Sequence, residues 1–485
     1  MKRLTLVLLI VAPFAAVWLH GQTGTPMAAA SAEAAAAATA AFDCLAPPTV
    51  APNLPSDSLL TEQPEVNCFA WQEFIALNWR AGQRAGQPDT NVPAADFGRR
   101  GSARPVVWET YKVTEEVFPA KGAVPTPWGD LQDAPASCET SPNDLVLTEG
   151  IGYHVLQETS KFAADLGERQ VLDEINQAGV TPPAWLTAQS GKTVYYEVRV
   201  NEDYFNYITD PANRFYDARN QWRALQPGAQ GIDFPASATR YGPTGAIEIK
   251  AGWLEIDKSQ ENEYLITEAV IYNPRDRRCR RARMGLVGLH ILHKTLSMPN
   301  WTWATFEHVK NAPDRVQVAS GNVHPPYTFY NANCKPATAP QCQPNRKPQK
   351  GDPMNRPIQV IREVPIPGYV RTLNDAVHGL IAQSNKDSVF LNYHLVNTQW
   401  PQSGVGFSVG ARTPLSQGGA APTTGLSNTT AETYVQTKTC LDCHQFAPIA
   451  CSSLSGPNPS WAGDYTFQLS QASEPQEPDF CGGGD

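Results

Sequence analysis

Basic residues in excess, a second pair of closely spaced cysteines, an internal repeat and a long apolar run are all missing from this sequence. Lys and Arg number 38 against 47 Asp and Glu, for a net charge of −9. That acidity argues against nucleic acid as a partner and weakly favours a basic one. No period recurs along the chain, and its extended stretches are not separated by regular helices, which argues against a doubly wound parallel sheet. The apolar N-terminal run, Leu4 to about Trp18, is short for a bilayer span. What the chain has in quantity is 35 Gly and 42 Pro, so a loop-rich body is expected. Its 485 residues leave ample length for a buried core.

The N-terminal run follows Lys2 and Arg3 and precedes small residues around Ala30-Ser31-Ala32. A positive start, an apolar middle and small residues at a cleavage point are the parts of an export signal. Neither a twin arginine nor a cysteine placed for lipid attachment accompanies it. The expectation is a chain without a stable membrane span after signal cleavage, periplasmic or secreted. Eight cysteines, Cys44, Cys68, Cys138, Cys279, Cys334, Cys342, Cys451 and Cys481, stand outside the motif described next. An even number in an oxidising compartment permits four disulfides. Cys334 and Cys342 bracket a Pro-rich loop and make the simplest pair. Cys451 with Cys481 would staple the tail, and burial as free thiols is the alternative.

The remaining two cysteines lie in Cys440-Leu441-Asp442-Cys443-His444, which reads C-x-x-C-H. Two thiols three positions apart can each add to a haem vinyl group while the adjacent imidazole reaches the iron. Cys440 and Cys443 are therefore expected to hold one covalent haem c, with His444 as its proximal ligand. Zinc asks for four N or S ligands, often including a second pair. A thioredoxin-type pair belongs at a strand-to-helix turn and does not need the His. Thioether haem attachment in bacteria takes place outside the cytoplasm, so the leader and the motif point to one compartment.

These five residues resemble the attachment site of the c-type cytochromes. In class I members of that group the motif opens a compact domain and a downstream Met completes the iron. Here 41 residues follow His444 and contain no Met, His, Lys or Arg, with Tyr465 the one strong side-chain donor among them. A sixth ligand must come from upstream, or the position stays open. The window 284–309 holds Met284, His290, His293, Met298 and His308. On a strand, His290 and His293 point to opposite faces, so only one can reach a haem. His290 is the favoured distal candidate, with Met298 and His308 next; histidines satisfied in the core are the bland alternative. Over a longer span the chain resembles a loosely described group of large exported bacterial monohaem proteins of the cytochrome c family. The likeness rests on FAWQEFIALNW at 69–79, VVWETYK at 106–112, GLHILHKT at 288–295, WTWATFEH at 301–308 and NTTAETY ahead of CLDCH. It covers most of the mature chain and implies haem binding and export, with no established reaction.

Other residues near the histidines admit two readings. Trp301, Trp303 and Phe306 suit either a haem face or ordinary packing, packing being preferred. Glu307 beside His308 suits acid-base chemistry or a cross-strand ion pair, and the ion pair is preferred. Gly406-Phe407-Ser408-Val409-Gly410 matches a nucleophile elbow, but the only later histidine is His444, which makes a serine hydrolase improbable.

In chain order, residues 1–32 read as signal peptide, 33–64 as an Ala/Pro-rich linker, 65–402 as a β-rich body, 403–428 as a connector and 429–485 as a haem-attachment segment packed on the body. A helix should begin near Asn67, and another should cover Lys161 to Gln177. Strands are expected at Val106–Tyr111, Thr193–Val200, Ala246–Ile256, Tyr264–Tyr272, Gly285–His293, Trp301–Val309, Pro357–Val364 and Val389–Trp400. Leu373–Ser384 reads as a helix, and Thr429-Thr430-Ala431-Glu432 reads as a capping box opening a helix that runs into Cys440. The fold class that fits is α+β, a mainly antiparallel sheet with peripheral helices, unlike the class I cytochrome order. The function expected first is an exported monohaem protein that transfers electrons to or from a redox partner protein. Alternatives are a haem-dependent oxidase or peroxidase acting on a small-molecule substrate, and a haem-based sensor of a small ligand.

Overall fold

The computed structural model describes residues 42–135, 138, 145–157, 184–273, 277–324, 326–349, 351–401, 426–445, 447–450 and 463–473. Its helices are α1 (Gln63–Leu77), α2 (Thr114–Val117), α3 (Glu202–Thr209), α4 (Ala218–Ala224), α5 (Arg315–Ser320), α6 (Gly368–Ser384) and α7 (Cys440–His444). Its strands are β1 (Lys112–Val113), β2 (Val155–Gln157), β3 (Val194–Val200), β4 (Ile247–Glu255), β5 (Ile266–Asn273), β6 (Arg278–His293), β7 (Thr302–His308) and β8 (Tyr393–Gln399). The architecture is α+β.

One sheet holds all eight strands, in the order β1-β3-β4-β6-β5-β2, with β7 and β8 branching from β6. Its frame is β6, 16 residues long, or roughly 50 Å at the usual rise. The first half of β6 pairs with β5 and the second half with β7, while β4 runs along its other side. Pairings are antiparallel except for β2 with β5.

Strand alternation gives the two faces different characters. On one face Ile249, Ile291 and Ala304 lie side by side, as do Ala251, Leu289 and Phe306. This face packs on α1 and α6, with Phe74 stacked on Phe306 at 4.4 Å and Trp71 edge-on to it at 5.0 Å. Each such buried aromatic contributes on the order of 2–3 kcal/mol. The other face carries Glu248, Leu292 and Trp303 in one row and Lys250, His290 and Thr305 in the next. There the covering element is the C-terminal chain, seated where β6 has Gly288. A side chain at Gly288 would stand 2.3 Å from Thr430 Oγ1.

Three expected elements take another form. Val106–Tyr111 contains a 3-10 turn at Val107–Thr110 in place of a strand. Arg199 donates to the carbonyls of Glu109 and Tyr111, and Glu109 accepts from the Val106 amide, so a strand's bonding groups are already engaged. Pro357–Val364 forms no strand, because Ile358, Val360 and Arg362 donate to Thr187, Phe329 and Pro313 in three separate stretches. Between Thr430 and Cys440 the chain makes turns, and the helix is confined to Cys440–His444. Glu307 accepts from the amide and hydroxyl of Thr429, and Tyr196 donates to the Thr430 carbonyl, which pins this stretch to the sheet. The capping box is instead made by Thr439 and Asp442. The first part of Val389–Trp400 is likewise a 3-10 turn, ahead of β8, and α6 starts earlier than expected, directly after Pro367.

From Phe42 onward the stretch read as linker is attached to the body. Cys44 is joined to Cys68 of α1, and the Leu45 and Ala46 amides donate to Glu65. Disulfides also join Cys138 to Cys279 and Cys334 to Cys342, the last as expected. The Lys161–Gln177 helix, the Cys451–Cys481 pair and the Gly406–Gly410 motif lie outside the described residues. No helix among the described residues is long and apolar enough to cross a membrane.

Candidate functional site

The polar face of the sheet and the C-terminal chain enclose a cavity open to solvent on one side. Cys440, Cys443 and His444 line one side and His290 and Trp303 line the sheet side, with Glu248, Lys250, Leu292, Leu426 and Glu432 among the other walls.

Each motif residue is held for a local reason. The Thr439 hydroxyl accepts from the Asp442 amide while Asp442 accepts from the Thr439 amide, and this box starts α7. Leu441 is buried among Ile449, Tyr465 and Leu469, and Gln399 of β8 accepts from its amide. The two cysteines are then presented to the cavity, both half-buried free thiols, while the other cysteines among the described residues are all paired. Burial, and after it the charge of Glu432, raises the pKa of both. Zinc and redox chemistry need thiolates, which such surroundings disfavour. Among the described residues no group of three or more His, Cys, Asp or Glu is arranged to hold a bare metal ion.

His444 has its Nδ1 2.7 Å from the Tyr465 carbonyl. A carbonyl only accepts, so the proton sits on Nδ1 and the Nε2 lone pair is left available to a metal. Trp303 and Phe467 flank the ring, with centroids at 5.7 and 5.1 Å. Burial lowers the imidazole pKa to about 4, helped by Lys250 and His290 and opposed by the Tyr465 bond. The ring is neutral, the form that ligates.

The window of distal candidates resolves into separate fates. His290 lines the cavity, and its Nε2 is buried without a hydrogen-bond partner, the nearest anion being Glu432 Oε2 at 3.5 Å, too long for a hydrogen bond. His293 faces the helices, with Nδ1 2.5 Å from Glu73 and Nε2 2.9 Å from the Thr244 carbonyl. His308 has both nitrogens engaged, Nε2 with the Glu263 carbonyl and Nδ1 with the Lys310 amide, and no lone pair remains for iron. Met298 packs with Val66, Phe69 and Trp400 away from the cavity. Met284 belongs to the apolar core.

Nearby residues divide the same way. Trp303 lines the cavity and its buried indole N–H has no partner among the described residues, whereas Phe306 belongs to the packed face. Trp301 packs on Phe234. Glu307 is an ion-pair residue: Arg362 and its cross-strand neighbour His394 hold its carboxylate. Burial opposes the charge, and the Arg362 guanidinium outweighs that and depresses the pKa far below the usual carboxylate range.

Glu248, Lys250 and Glu432 were missed from sequence. A signal for the first two exists: in Ile247-Glu248-Ile249-Lys250 the charged residues alternate with apolar ones, marking a strand with one polar face. Glu432 stood in the expected capping box, and it instead accepts from the Asn428 amide at 2.8 Å. Burial opposes its ionisation too, but His290 and Lys250 prevail and lower its pKa.

The donor set suits a haem. Two neutral thiols, a neutral imidazole with a free Nε2 and a second imidazole with an orphaned Nε2 share one partly apolar cavity. Comparison of the chain with protein-family models, with curated proteins and with solved structures finds no match in any of the three.

Proposed function

We propose that the chain holds one haem c, through thioether bonds to Cys440 and Cys443, and works outside the cytoplasm as an electron-transfer protein with a redox partner protein. The observation that carries this reading is the convergence of these two unpaired thiols, His444 and His290 on one cavity. Haem, when bound, supplies a one-electron couple at its iron. His444 offers Nε2 as proximal ligand, oriented by its Nδ1–H bond to Tyr465. His290 is the distal candidate, since Met298 and His308 are turned away or fully engaged. Leu292, Trp303 and Leu426 supply apolar lining, and Glu307 of β7 and Arg362 hold the segment bearing the motif through Thr429 and Ser427. Six cysteines joined in disulfides fit an oxidising compartment, which supports export to the periplasm or beyond.

A second reading draws on Glu432. A carboxylate 3.5 Å from His290 Nε2 would need to close to hydrogen-bond distance to move a proton beside an open sixth position, as an oxidase or peroxidase needs. Protein from a host equipped for haem ligation decides. Pigment that survives acidified acetone is expected, and a colourless preparation overturns both readings. A six-coordinate spectrum indifferent to CO supports electron transfer, whereas a high-spin spectrum that shifts with CO or peroxide supports the second reading.

A further inference from the structure

Glu248 is the one carboxylate of the cavity wall that makes no ion pair among the described residues. It is buried, and so are its partners Thr466 and Tyr204. The Thr466 hydroxyl donates to Glu248 Oε2 at 2.5 Å. The same hydroxyl accepts from the Gln468 amide at 3.1 Å and lies 3.0 Å from the Tyr204 hydroxyl. A hydroxyl has a single proton to give, and Thr466 gives it to Glu248, so Tyr204 must donate to Thr466. The direction of the line is thus fixed from Tyr204 through Thr466 to Glu248. Burial holds the Tyr204 phenol well above its usual value, so it keeps its proton.

The charged and titratable groups around this carboxylate are Lys250 on its own strand, His290 on β6, Glu432, Lys438, Cys440, Cys443 and His444 on segment 426–445, Tyr204 on α3, and Asp464 with its partner Lys294. Lys250 lies over the Tyr196 ring at 5.7 Å.

We infer that Glu248 is the proton-coupling residue of the electron transfer proposed above, an inference that rests on the haem reading. Its carboxylate takes up one proton from solvent at the cavity mouth for each electron that enters from the reducing partner, and releases it when the electron leaves. One O–H bond forms, on Oε1, because Oε2 stays engaged with Thr466. Total charge in the cavity is then unchanged by the redox step, which a site of low polarity favours. Burial raises the carboxyl pKa to about 7, with Thr466 and then Lys250 opposing, so the exchange falls in the neutral range.

The test is a redox titration of the haem-loaded protein at a series of pH values, followed by absorption. The midpoint potential should fall with rising pH around neutrality, approaching about 59 mV per unit for one proton per electron. Glu248→Gln should flatten it. Thr466→Val, which removes the bond favouring the ionised form, should move the sloping window to higher pH. Redox-difference infrared spectra of the unaltered protein should show a carboxylic C=O band on reduction that shifts in heavy water, and this readout needs no variant to fold. A slope retained in Glu248→Gln, or an absent band, overturns the inference. Covalent pigment with a pH-independent potential removes the inference and leaves the haem reading standing; colourless protein removes both.

Discussion

His290 and His293 stand three residues apart on β6 and live in different surroundings. His293 is closed on both sides: Glu73 and the Thr244 carbonyl take its nitrogens, and Phe69 stacks on its ring at 5.7 Å. His290 faces a cavity with Nε2 unpartnered. The same division runs through the sheet, one face filled by Trp71, Phe74 and the side chains of α6, the other carrying charged groups under the C-terminal chain. One face is filled by packed aromatic side chains, and the other lines a cavity.

The largest effect that tests this division is on the motif. Cys440→Ala with Cys443→Ala should abolish covalent pigment while leaving unfolding of the unloaded protein within about 1 kcal/mol of the parent; pigment resistant to acidified acetone in that variant would sink the assignment. On the packed face, Phe74→Ala should lower stability by about 3–5 kcal/mol, measured by denaturant unfolding. His293→Ala should cost about 3 kcal/mol, because it strands Glu73, whose pKa burial already raises, without its partner. His290→Ala leaves the buried Glu432 with Lys250 and the Asn428 amide, so it should cost the unloaded protein less than His293→Ala, about 1–2 kcal/mol, and alter the absorption of the loaded one. Equal losses from the two histidines would erase the contrast.

Acid sharpens it from another side. Burial lowers His308 from its usual 6.5 to about 3, opposed by the bond to the Glu263 carbonyl and helped by the charge of Lys310. The folded-state value lies below the unfolded one, so its contribution is complete above pH 6.5. That contribution is lost as pH falls toward the folded value, at roughly 1.4 kcal/mol per unit. His308→Gln should flatten that dependence in urea unfolding measured from neutral to mildly acidic pH. An unchanged slope would assign the acid sensitivity to other groups.

Much of the sheet was legible in the sequence, because period-two alternation survives in β3 to β7 whatever the strands pair with. The three misread stretches fail for a common reason. Val106–Tyr111, Pro357–Val364 and Thr430–Cys440 have plausible local patterns, but their backbone groups are claimed by distant partners: Arg199, three separate loops, and Glu307 with Tyr196. Local propensity cannot register such partners, the farthest of them 234 residues away. Glu248 was passed over for the same reason, since the hydroxyl that fixes it belongs to Thr466.

By itself the sequence determined the spacing of Cys440, Cys443 and His444 and the opposition of His290 to His293, because covalent reach and strand alternation are local properties. Only the tertiary structure decided which histidine meets the motif. That choice depended on α1 packing against one face of β6 and on the C-terminal chain settling over Gly288 on the other, and both are contacts between segments far apart in the chain.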